Sequence, residues 1–123
     1  MSAYGHVDLR VRDLAEAESF YEELLPALGF TERYHGGGWK VWASPDGAHF
    51  AATESANHVA NENRVAFIVG SRDEVERVAA LALEAGALEM SGPREMPYTP
   101  GYYAAFFADP SGNRLEVYFR PEP

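Results

Sequence analysis

Over "HVDLRV" apolar and polar residues alternate, with Val7, Leu9 and Val11 on one side and His6, Asp8 and Arg10 on the other. Successive strand side chains point to opposite faces, so this stretch predicts a strand buried on one side only. The period then lengthens. Leu14, Ala17, Phe20, Tyr21, Leu24 and Leu28 recur at helical spacing behind Asp13, a residue type suited to an N-cap, and the run closes near Gly29. Three short strands are predicted next, "FTERYH", "WKVWAS" and "AHFAATE", separated by Gly36, Gly37 and Gly38 and by the turn "SPDG".

From Arg64 the order returns. "RVAFIV" predicts a strand, "SRDEVERVAALALEAG" a helix with Ser71 as its cap, and "LEMSG", "YYAAFFA" and "RLEVYF" three more strands. Each half therefore reads βαβββ. His6 falls on Arg64 at a shift of 58 residues, and "SPDGAHFAAT" falls on "DPSGNRLEVY" at a shift of 65, the difference marking an insertion inside the repeat. Two copies are too few for a solenoid and pair more naturally about a pseudo-twofold axis. The expectation is one α+β domain over residues 1–123, with module one at about 1–57 and module two at 58–123. The faces opposite the apolar ones would turn His6, Asp8, Arg10, Arg64, Glu116 and Tyr118 towards a shared cavity. Such a set is too polar for a core, because unpaired buried charge is costly.

Composition narrows the function classes. With 46% hydrophobic and 13% aromatic residues in 123, the chain reads as one globular domain. No apolar run approaches the roughly 18 residues of a membrane span, and "MSAYGHVDLR" lacks the pattern of a signal peptide, so a cytoplasmic protein is expected. The absence of cysteine excludes disulfides and thiolate chemistry, leaving His, Asp and Glu as metal ligands. A net charge of -9 without a basic run argues against nucleic acid and anionic membranes, and suits a cationic small molecule if the acidic field reaches the cavity.

The opening "HVDLRVRDLAEAESFYEELLPALGF" and the closing "DPSGNRLEVYF" resemble the two ends of the vicinal oxygen chelate superfamily, which comprises glyoxalase I, bleomycin-resistance proteins, fosfomycin-modifying enzymes and extradiol dioxygenases. The resemblance covers nearly the whole chain. It implies the fold, a homodimer whose cavities are often built by both chains, and, in metal-dependent members, ligands from the first and last strands of each module. His6 and Glu116 match two of those four places. The other two carry Arg64 and Ala51. A guanidinium stays protonated and has no lone pair to offer a cation, while catalytic sites usually keep at least three protein ligands.

The favoured expectation is thus a small-molecule binding protein without a family-type metal, with Arg64 paired to Glu116 and His6 beside them. Asp8, Arg10, Trp42, His49, Tyr98, Tyr102, Tyr103 and Tyr118 are the candidate ligand contacts. The tyrosines of "MPYTPGYYAAFF" and the strand tryptophan offer rigid aromatic area at low entropic cost. Trp39 and Trp42 lie on opposite faces of one strand, so at most one lines the cavity, and His35 and His58 read as loop residues. Two alternatives stay open. One is a metal-dependent lyase, isomerase or dioxygenase holding Zn, Mn, Fe or Ni through His6, Glu116 and a third ligand. The other is a metal-independent enzyme with His6 or Glu116 as base and Arg64 stabilising an enolate-like intermediate.

Overall fold

The computed structural model describes residues 3–122; Met1, Ser2 and Pro123, the ends of the expected domain, lie outside them. The chain runs β1 (His6–Val11), α1 (Leu14–Ala27), β2 (Glu32–Gly36), β3 (Trp39–Ala43), β4 (His49–Glu54), β5 (Arg64–Ile68), α2 (Arg72–Ala85), β6 (Leu88–Glu95), β7 (Tyr103–Ala108) and β8 (Arg114–Phe119). This is the doubled βαβββ order of an α+β fold. One sheet has the order β1-β4-β3-β2 and the other β5-β8-β7-β6, the same arrangement twice. The register repeats as well. His6 pairs with His49 and Asp8 with Ala51 in the first sheet, while Arg64 pairs with Arg114 and Ala66 with Glu116 in the second. Both sequence shifts, 58 and 65, are therefore structural equivalences.

Each helix starts where its cap residue stands. The Asp13 carboxylate accepts from the Glu16 backbone N–H at 3.0 Å, and the Ser71 hydroxyl accepts from that of Glu74 at 3.1 Å, each satisfying a donor that the first turn leaves open. Glu54 adds a second acceptor at the first helix, taking the Leu14 N–H at 2.8 Å. The apolar stripes of α1 and α2 bury Phe20, Tyr21, Leu24, Leu25, Val75 and Val78 against Val11, Phe50, Phe67, Leu115 and Val117. Both helices thus cover one face of the sheets, and the opposite faces stay open.

The modules are joined at the β7–β8 turn. Asp109 is fully buried there, and its carboxylate accepts from the Tyr21 hydroxyl at 2.7 Å, the backbone N–H groups of Ser111 and Asn113 at 2.9 and 3.0 Å, and the Asn113 side-chain amide at 2.9 Å. From the same turn the Ser111 hydroxyl accepts the Arg12 N–H at 2.9 Å, and the Asn113 amide donates to the Arg10 carbonyl at 2.9 Å. Module two thereby holds α1 and the end of β1 by directional bonds as well as by apolar contact.

Two differences from expectation concern single elements. Strand β6 runs to Glu95 rather than ending at Gly92, with register shifts against β7 between Leu88 and Ser91 and again between Ser91 and Arg94. Gly92 has φ 88°, and a Cβ there would stand 2.6 Å from the Ala104 carbonyl oxygen, so only glycine fits this part of the strand. His35 lies in β2, paired with Lys40, within the predicted strand "FTERYH" and not in a loop.

Candidate functional site

The polar residues of the open faces divide between two cavities. On the first sheet His6, Asp8, Trp39, Val41, His49 and Ala51 line a hollow of about 380 Å³. His6 Nδ1 lies 3.0 Å from an Asp8 carboxylate oxygen, His49 Nδ1 lies 2.9 Å from the Gly47 carbonyl oxygen, and the Arg10 guanidinium sits 5.2 Å from the Trp39 ring centre. Both imidazoles are oriented through Nδ1, which leaves Nε2 for the cavity. His58 stays apart from this set, its Nε2 2.8 Å from the Asn113 amide oxygen.

On the second sheet a cavity of about 340 Å³ is lined by Arg64, Arg94, Arg114, Phe106, Tyr98 and Glu89, among others. The guanidiniums of Arg64 and Arg94 lie 4.9 and 5.8 Å from the centre of the same Phe106 ring. Arg94 also donates to the Ser91 hydroxyl. Among the described residues none of the three arginines makes an ion pair with a carboxylate. In a chain of net charge -9 this wall is locally cationic, so the acidic total does not carry over to the cavity and the expectation of a cationic ligand loses its basis here.

Glu116 is buried beside this cavity, and its carboxylate takes the Tyr102 hydroxyl. Tyr102 stacks on Tyr118 with ring centres 4.6 Å apart and planes within 5°, and meets Tyr98 edge-on at 5.0 Å. The expected Arg64–Glu116 pair does not form. Arg64 faces Arg114 in the register, two pairs before Glu116, and its guanidinium extends over Phe106 while a tyrosine satisfies the carboxylate.

Two candidate contacts are corrected. Trp42 is a core residue, 1% exposed, packed against Tyr21 and donating its indole N–H to Glu22 at 2.9 Å, and Trp39 is the tryptophan of the open face. Tyr103 turns towards α2, where its hydroxyl bonds Glu76 and the Arg72 guanidinium covers its ring. In both cases strand alternation sends neighbouring aromatics to opposite sides. Arg94, Arg114 and Phe106 were missed as site residues. Arg114 and Phe106 were legible from alternation with Glu116, whereas Arg94 reaches the open face only through the β6 irregularity.

The tyrosines imply a pH dependence. Burial and then the Glu116 hydrogen bond hold the Tyr102 phenol above the ordinary tyrosine range, and burial and then Asp109 do the same for Tyr21. A phenol whose folded pKa exceeds its unfolded value of about 10 lends stability that is full below pH 10 and is lost as pH rises through the folded value. Phenolate absorbance on an alkaline titration should therefore show Tyr21 and Tyr102 ionising late, together with unfolding. Tyr102→Phe should make the alkaline loss of stability shallower. Seven tyrosines titrating together in the native protein would contradict the arrangement.

The family model of the Glyoxalase/Bleomycin resistance protein/Dioxygenase superfamily matches residues 3–117. The chain belongs to that superfamily. Its fold matches the crystal structure of a glyoxalase/bleomycin resistance protein from Albidiferax ferrireducens T118 with a TM-score of 0.82 and 25% identity, covering 98% of this chain and 100% of that one. The fosfomycin resistance protein FosX from Listeria monocytogenes matches at 0.74 with 21% identity, covering 98% and 95%. An E126Q mutant of that FosX, complexed with Mn(II) and 1S,2S-dihydroxypropylphosphonic acid, matches at 0.71 with 21% identity, covering 95% and 89%. No curated protein matches the chain.

Superfamily membership raises the question of a divalent metal, and the donor set of one chain does not fit one. Among the described residues no three of His, Cys, Asp or Glu come together to hold an ion. His6 and Glu116 belong to different sheets, and their module equivalents are Arg64 and Ala51. Arg64 offers no lone pair and Ala51 no donor atom. No helix among the described residues is long and apolar enough to cross a membrane.

Proposed function

We propose that this superfamily member binds a small molecule in the polar and aromatic cavity of module two, without a family-type metal, as a cytoplasmic homodimer. The observation that carries the reading is the wall itself. Arg64, Arg94 and Arg114 face a space lined by Phe106 and Tyr98, and no ion pair neutralises them among the described residues. Guanidiniums held over an aromatic ring keep their in-plane N–H donors free for ligand oxygens. Dimerisation is supported by apolar side chains left on the open faces, Ile68 at 59% exposure and Tyr34 at 52%, which a second copy would cover.

The metal-independent enzyme remains the second reading, favoured by the oriented His6–Asp8 pair, with Arg10 of the same strand as the cation in place of Arg64. Elemental analysis tests the main reading. Protein purified without chelator should carry well below one equivalent of Zn, Mn, Fe or Ni per chain, unchanged in His6→Ala. A stoichiometric metal that His6→Ala removes would overturn it. Light scattering at micromolar concentration should give twice the chain mass, and a monomer would remove the dimer from the proposal.

A further inference from the structure

Resting on that binding reading, we infer that the module-two cavity takes a small organic dianion. The lining residues carry three guanidiniums, Arg64, Arg94 and Arg114, against one carboxylate, Glu89, while the second carboxylate beside the cavity, Glu116, is buried and taken up by the Tyr102 hydroxyl. Two of the three cations are brought to one ring, Phe106, and Arg94 is fixed there by Ser91. Like charges gathered in a partly enclosed space repel, and a ligand of opposite charge relieves that repulsion in proportion to the charge it brings. A dianion relieves that repulsion more than a monoanion does, and three separate guanidiniums give its charges more than one place to pair.

The lining sets the rest of the ligand. Each guanidinium presents a planar fork of donors that matches a carboxylate or phosphate edge, so the charges belong on forked oxyanions. Phe106, Met96 and Tyr98 supply apolar and aromatic surface for a carbon body between or beside them. A volume of about 340 Å³ holds only a small ligand. The shared chemistry is that of a short dicarboxylate or a small phosphomonoester. The acidic exterior, with its total of -9, would make such binding a local property of this cavity and not of the surface at large.

Calorimetric titration of EDTA-treated full-length protein with succinate, inorganic phosphate at pH 8 and propionate, at matched ionic strength, tests this directly. At least one of the two dianions should bind ten-fold or more tightly than propionate, and Arg94→Met and Arg114→Gln should each lose ten-fold or more of that affinity. Both arginines are exposed, so these variants should fold, which their melting curves would verify. Arg94→Lys, which keeps the charge, should retain part of the binding. The ranking of succinate and phosphate tells whether the two charges sit on separate groups or on one. Propionate binding as tightly as the dianions, with the same arginine dependence, would overturn the dianion and leave the binding reading standing. Anion affinities untouched by either arginine variant, or no anion binding at all, would overturn both.

Discussion

Asp109→Ala should lower stability by about 3 to 5 kcal/mol, because several buried donors lose their acceptor together and each costs about 1 to 3 kcal/mol when left unsatisfied. Asp109 is 0% exposed and accepts four hydrogen bonds, so its loss takes the buried acceptor from the Tyr21 hydroxyl and two backbone N–H groups, while the Asn113 amide keeps only its bond to the Arg10 carbonyl. At about 4 °C or more per kcal/mol for a domain of this size, the melting temperature should fall by roughly 12 °C or more. Tyr21→Phe removes only one of the four donors and should cost about 1 to 2 kcal/mol. The double mutant should then be less destabilised than the sum of the two, because the second change removes a group already left unpaired. Strict additivity would show that the turn and α1 are not coupled through this contact.

Trp42→Ala carries the second large effect, about 3 to 5 kcal/mol, as expected for emptying the space of a fully buried aromatic. It would also free the Glu22 carboxylate from the indole N–H, though Arg33 still pairs with Glu22 at 2.6 Å. Trp39→Ala, on the open face under Arg10, should cost less than about 1 kcal/mol and alter only the hollow on the first sheet. Denaturant unfolding of the two single mutants separates them. Equal losses would mean that Trp39 is also part of the core.

The repeat was legible because it rests on local signals. Two caps, two helical periods and six-residue alternations recur in the same order, and the two shifts emerge in the register as His6 opposite His49 and Arg64 opposite Arg114. Alternation also placed Glu116 and Tyr118 together on the open face, where Tyr118 stacks on the tyrosine that bonds Glu116. What alternation alone could not decide was which side of "WKVWA" faces the helices, since both sides end in tryptophan. The deciding contact is non-local: Trp42 stands beside Phe50, and Phe50 corresponds in the repeat to Leu115 of the apolar face. Adding the hairpin pairing to the repeat would have assigned it.

Side-chain reach was the second obstacle. A strand position fixes the face but not where a long arginine ends, so Arg64 belongs to the expected face and still lies over Phe106 instead of meeting Glu116. Arg94 was hidden more deeply. It stands three positions after Ser91, and an uninterrupted strand would send the two to opposite sides, yet the register shift between them lets both line one cavity. No period-2 pattern carries that information. The cationic character of the cavity was invisible for the same reason, because it depends on three arginines from three strands in a chain that is acidic as a whole.

The central claim is a ligand held by the module-two arginines without metal, and amide chemical-shift mapping tests it most directly. EDTA-treated protein titrated with succinate or phosphate should show saturable shifts clustered at Arg64, Arg94, Phe106 and Arg114, unchanged when Zn or Mn is added. Shifts that appear only after a metal is supplied, and that centre on His6 and Glu116 instead, would contradict it.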